Sequence, residues 1–270
     1  MMPARDVFSF RRVGAFLLRH LFVLKRSWPR LLELAYWPFV QMILWGFITT
    51  FMLQNSSWVA QASGVLISAV LLWDVLFRAN LGVSVTFLEE MWARNLGQLF
   101  VSPLRAYELV AALWLMSFIR TVISVLPAAF LAVPLFGVSV FALGPVLATL
   151  FANLLLFGCS VGIAISALVL RFGLGAESLA WVAVFALAPL SGVYYPISVL
   201  PDWLLPIALA LPSVHVFEGM RAVLFENAAR WDLAALAFAL NLMYGLASTL
   251  FFLRMVQIAR MRGLLLQQGE

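Results

Sequence analysis

Apolar residues gather along this chain into six blocks, at roughly 33–53, 63–84, 109–133, 141–169, 178–198 and 233–256. Each block is long enough to cross a bilayer as a helix of about 20 residues. Ahead of the first block the pattern changes to a helical stripe. Phe10, Val13, Leu17, Leu21 and Leu24 share one face while Arg12, Arg19 and Arg26 lie on another, which predicts a basic amphipathic helix within residues 1–30, lying on a membrane surface. Arg19 and His20 interrupt its apolar stretch and no small-residue cleavage site follows, so a retained helix is expected rather than a cleaved leader.

Two stretches break the apolar pattern. Between Leu187 and Arg221, in LAPLSGVYYPISVLPDWLLPIALALPSVHVFEGMR, the prolines are Pro189, Pro196, Pro201, Pro206 and Pro212. Each removes a backbone donor and clashes with the preceding turn, so short helical pieces are expected, one capped by Asp202 and the next by Ser213. Neither piece spans a bilayer, so residues 187–230 are read as a re-entrant hairpin at one membrane face. The second stretch, FLEEMWARNLGQLFVSPLR from Phe87 to Arg105, alternates polar and apolar residues. It predicts a short interfacial helix within 86–103 that ends before Ser102 and Pro103, with Glu90 and Arg94 at ion-pair spacing.

Composition then fixes the class. The chain is 64% hydrophobic and 11% charged, has a mean hydropathy of +1.04 and carries ten tryptophans, which describes an all-α polytopic membrane protein with one membrane domain over 31–270. The net charge of +5 reflects topology and not nucleic-acid binding. Thirteen of the seventeen basic residues fall on one side if the N-terminus is cytoplasmic, and the short outer loops have none. Both termini are therefore expected in the cytoplasm, with the proline-rich hairpin outside.

The remaining chemistry is sparse. Cys159 is the one cysteine and lies in an apolar block, so no disulfide and no thiolate metal site is expected. Lys25 is the one lysine and belongs to no glycine-rich phosphate loop, so the chain cannot cradle ATP in the P-loop manner. Gly158, Gly162 and Ser166 form a stripe that admits a close helix neighbour, from this chain or a second copy. Asp74, Arg78 and Arg120 fall inside the blocks. Asp74 and Arg120 lie at matching depth, so Asp74 is expected to pair with Arg120, Arg78 or both.

Taken together, the acidic pair, NL and SPL of the loop after the second block, with SGVYYPISVLPDWL and PSVHVFEGMR downstream, resemble the permease subunit of ATP-binding-cassette type 2 exporters. The resemblance covers essentially the whole chain, and the outer hairpin is its most specific part. It implies a bacterial inner-membrane exporter of an amphiphilic, lipid-linked or glycan-like substrate, with no catalytic residue or cofactor of its own. Two cytoplasmic ATPase subunits would bind ATP and Mg, and a second permease copy would complete a homodimer. Glu89, Glu90, Arg94, Asn95, Leu96 and Leu99 would be ATPase contacts. Ser191, Gly192, Tyr194, Tyr195 and Pro196 stand at the turn into the hairpin and are expected to form an outer gate at the dimer axis.

Two other classes compete. Broken segments and buried charges also mark channels and secondary transporters. Glu89, Glu90 and Arg94 spell EExxxR, and Phe16 and His20 supply FxxxH, as in intramembrane metalloproteases. In those enzymes the glutamates precede the histidines and lie within spans, whereas here His20 comes first, which places protease a remote third.

Overall fold

The structure, a computed structural model, describes residues 8–55 and 63–263. Its helices are α1 (Phe10–Arg26), α2 (Trp28–Asn55), α3 (Ser63–Trp92), α4 (Leu96–Val101), α5 (Ala106–Phe136), α6 (Pro145–Phe172), α7 (Leu179–Leu187), α8 (Leu205–Leu209), α9 (Pro212–Glu226) and α10 (Trp231–Arg262). No strand occurs among the described residues. Five helices, α2, α3, α5, α6 and α10, are long and apolar enough to cross a membrane. The protein is an all-α polytopic membrane protein.

The bundle is assembled around α3, which packs against α6, α5 and α2. The glycine stripe explains the closest of these contacts. A Cβ at Gly158 would lie 2.5 Å from the carbonyl oxygen of Leu76, and one at Gly162 would lie 2.7 Å from the Val83 Cβ. The stripe therefore serves packing within this chain, since only hydrogen leaves room for the two backbones. On an adjoining face of α3, Gly82 meets Ser117 of α5, whose hydroxyl donates to the Ala79 carbonyl at 2.7 Å. Cys159 is buried beside the same serine, as a small packing residue.

Three expectations need correction. The block at 178–198 is helical only over α7, nine residues that rise about 14 Å. Pro189, the left-handed Gly192 (φ +62°) and Pro196 turn the chain before it reaches spanning length. Asp202 does not cap a helix: α8 begins at Leu205 with Pro206 in its first turn, and its N-cap position is Leu204. Ser213 likewise lies inside α9, after Leu211 at the N-cap and Pro212 in the first turn. The prolines thus start both pieces, because the donor they lack is one that a first turn leaves unused anyway.

Helix α1 covers Phe10–Arg26 of the expected 1–30, of which residues 1–7 lie outside the described residues, and its buried face is Val13, Phe16, His20 and Leu24. Phe10 of the expected apolar face is exposed, and Arg12 and Arg19 of the polar face reach back to Glu108 and Glu90. Helices α1 and α4 lie at one end of the bundle, which we call the basic end. The turn after α7, with α8 and α9, occupies the other, where α9 packs against α6 and α10.

Candidate functional site

At the basic end the chain turns a corner. Helix α3 runs through Glu89 and Glu90 to Trp92, Arg94 adopts the left-handed conformation (φ 54°), and α4 starts after Asn95. The helix break separates Glu90 from Arg94, so the expected pair between them does not form. Glu90 is buried instead beneath α1: it accepts hydrogen bonds from Arg19 and from Asn95 Nδ2 at 2.7 Å, and His20 Nε2 lies 3.1 Å from it. Glu89 bridges α2 and α5, accepting from Arg30 Nη1 at 3.2 Å and from Arg120 Nη2 at 2.8 Å. Leu96 and Leu99 are buried under α4, whereas Arg94, Gln98 and Val101 are exposed.

A second acidic node, Glu108 in the first turn of α5, was not singled out from the sequence. Its carboxylate accepts from the Arg105 backbone N–H at 3.0 Å as part of a capping box. It also accepts from the Ser9 N–H and from Arg12 Nε, both at 2.8 Å, and so fastens the start of α1 to α5. The hydrogen bond to Glu108 holds the Arg12 guanidinium above its ordinary pKa. An acidic residue three positions after Arg105, at a helix start, was the available signal.

The chemistry of this corner is mechanical. Glu89, Glu90 and Glu108 are each engaged by cationic side chains. Although His20 meets Glu90, no group of three or more His, Cys, Asp or Glu residues among those described is placed to hold a metal. Arg260 of α10 stacks over Phe100 of α4 at 5.5 Å, so the corner touches α1, α3, α5 and α10 together.

The intramembrane charges meet differently from the expectation. Arg120 reaches Glu89, not Asp74. Side chains tilt toward the N-terminus of their own helix. Arg120 on α5 therefore leans toward the basic end, while Asp74 on the antiparallel α3 leans away from it. Asp74 Oδ2, Arg78 Nε and Arg78 Nη2 are buried without a hydrogen-bond partner among the described residues.

At the other end, the five residues expected at a gate do form one turn, and it is held by α9. Arg221 Nη2 donates to the carbonyls of Gly192 at 2.6 Å and Tyr195 at 3.1 Å, and to Glu218 at 3.0 Å. Glu218 in turn accepts from the Ile197 N–H at 3.1 Å. The Ser191 and Ser213 hydroxyls are 2.8 Å apart. Tyr194 stacks on Trp45 of α2 at 4.8 Å, and the Tyr195 hydroxyl donates to the Pro189 carbonyl. Pro196 is exposed. Arg221 and Glu218, which organise the turn, were missed because nothing in their spacing points to carbonyls 26 and 29 residues earlier.

No curated protein matches the chain. A family model, ABC-2 type transporter, matches residues 17–225, from the middle of α1 to the end of α9. The match takes in both the corner between α3 and α4 and the turn clamped by α9. An all-helical membrane bundle with that match is an ABC transporter permease subunit, which lacks an ATPase site and works with an ABC ATPase subunit, and the chain belongs to the ABC-2 type transporter family.

Proposed function

We propose that the protein exports an amphiphilic, lipid-linked or glycan-like substrate across a bacterial inner membrane. Two ATPase subunits would dock at the basic end of a permease homodimer, with both termini in the cytoplasm. The observation that carries this reading is the corner between α3 and α4. Its surface presents Trp92, Arg94, Gln98 and Val101, while Glu89, Glu90, Leu96 and Leu99 turn inward. Beside it lies a groove between α1 and α4, lined by Arg12, Arg19, Gln98 and Pro103 among others.

The division of labour within the corner follows from burial. Arg94 and its exposed neighbours contact the ATPase. Glu89, Glu90 and Asn95 hold the corner to α1, α2 and α5, so that a push on α4 moves several helices together. The turn at Ser191–Pro196 serves as the outer gate. In support, it is fastened by side chains of α9 instead of helical continuity, and such a connection can shift as a rigid unit.

The test is charge reversal at the exposed position. Arg94→Glu is expected to reduce co-purification of the co-expressed ATPase at least tenfold, because like charges across a docking surface cost several kcal/mol. The thermal stability of the permease should stay unchanged, since Arg94 is exposed and forms no ion pair among the described residues. Undiminished ATPase recovery and full ATP-dependent transport in liposomes would remove this corner from the docking surface.

A further inference from the structure

A cavity of about 230 Å³ opens between α2, α3, α5 and the start of α7, toward the basic end. Its floor is made by Arg78 and Arg120, which are 5% and 6% exposed. Three carboxylates act on this pair: Glu89 by hydrogen bond to Arg120, and Asp74 and Glu33 through charge on Arg78 without accepting a hydrogen bond from its Nε or Nη2. Glu89 is already shared between Arg120 and Arg30. Glu33 lies at the exposed rim, and Glu177 there accepts the Trp92 indole N–H at 3.3 Å. Asp74 lies one helical turn from Arg78, outside the cavity lining, and its Oδ2 meets no donor. What the buried wall leaves unused is hydrogen-bonding capacity: Arg78 Nε and Nη2 have no partner among the described residues, although Asp74 and Glu33 offset part of its charge.

A buried guanidinium with two unused donors needs an acceptor, because leaving such donors unpaired away from water is costly. The planar fork of arginine matches phosphate and carboxylate groups, which take two parallel hydrogen bonds. The rest of the lining is apolar, from Leu34, Leu81 and Val85, and Trp37 and Trp181 flank it with exposed rings. Tryptophan at such a position suits the boundary between head groups and hydrocarbon. The volume accommodates a small polar head group, and an attached chain would remain outside, between the two tryptophans.

We propose that this cavity binds the phosphate-type anionic head group of an amphiphile, with Arg78 as its anchor and Arg120 beside it. This deepens the exporter reading and rests on it for the term substrate, although the binding itself does not require the ATPase. It narrows the cargo to molecules with a compact anionic head and an apolar tail that arrive from the leaflet at the basic end.

The test is made on the full-length permease purified in detergent, by thermal unfolding during titration. The probes are dioctanoyl phosphatidic acid, dioctanoyl phosphatidylcholine and inorganic phosphate. Phosphatidic acid is expected to raise the midpoint saturably, and phosphatidylcholine is not. Arg78→Gln should weaken the phosphatidic acid response about tenfold or more, the order expected for one charge-assisted hydrogen bond. Leu34→Trp, which fills the cavity and leaves every charge in place, should do the same and keeps the test decisive if Arg78→Gln does not fold. Inorganic phosphate acting as strongly as phosphatidic acid would support the anion site and assign it to free anions instead of lipids. An equal response to phosphatidylcholine, or an unchanged response in Leu34→Trp or in folded Arg78→Gln, would overturn the proposal. Because only binding is read, a negative result leaves ATPase docking standing, and failed docking leaves the cavity standing.

Discussion

The two ends of this bundle are fastened by different means. At the basic end, carboxylates on α3 and α5 gather cations from distant segments: Glu90 takes Arg19, with His20 beside it, Glu89 takes Arg30 and Arg120, and Glu108 takes Arg12. At the other end the fastening is mainly from side chain to main chain, with one arginine reaching two carbonyls of a turn. The first kind ties elements whose relative position must persist, because separating them exposes unpaired buried charge. The second hangs on one side chain, so displacing Arg221 alone frees the Gly192 and Tyr195 carbonyls together. The basic end is therefore expected to be the stiffer of the two, and the turn the part that yields.

Substitutions rank the two. Glu90→Ala should have the largest effect, about 2 to 3 kcal/mol of lost stability. This lies below the full penalty for breaking a buried pair because Arg19 is half-exposed, whereas His20 is not. Thermal unfolding of the purified permease reads it, and the proteolytic accessibility of α1 should rise in parallel. Arg221→Ala removes the clamp on Gly192 and Tyr195 and leaves Glu218 without its cation, which should cost about 1 to 2 kcal/mol. If Arg221→Ala proves the more damaging, the assignment of the yielding end is reversed. Tyr195→Phe deletes one exposed hydrogen bond to Pro189, and a loss of about 0.5 kcal/mol is expected in the same assay. A larger loss would mean that this hydroxyl holds the turn as firmly as Arg221 does.

The elements that were legible in the sequence are those specified locally. Helical spacing placed α1, apolar length placed α2, α3, α5, α6 and α10, and the glycines at 158 and 162 marked a close helix contact. What was not legible depended on neighbours remote in sequence. Nothing local marked Arg19 as a partner of Glu90, which lies 71 residues away. Asp74 and Arg120 were matched by depth, but depth ignores the tilt of side chains along antiparallel helices, and that tilt sends Arg120 to Glu89. The proline-rich segment was recognised as broken, yet Asp202 and Ser213 were misjudged because the prolines themselves set where α8 and α9 begin. For the loop after α3, the sequence predicted one short helix within 86–103, whereas α3 itself runs to Trp92 and a left-handed Arg94 sets α4 apart at Leu96–Val101.

The contact between α3, α5 and α6 has a practical consequence. Cys159 sits there 1% exposed, with its Sγ 3.4 Å from the Ser117 hydroxyl and helix backbones pressed close on either side. It is the sole cysteine of the chain, so a maleimide or a spin-label reagent should find no accessible thiol in the folded protein. Reporters can therefore be introduced one at a time at exposed positions such as Val101 or Trp203 without first replacing Cys159. Labelling of the native chain then becomes a direct measure of how often the central helices part.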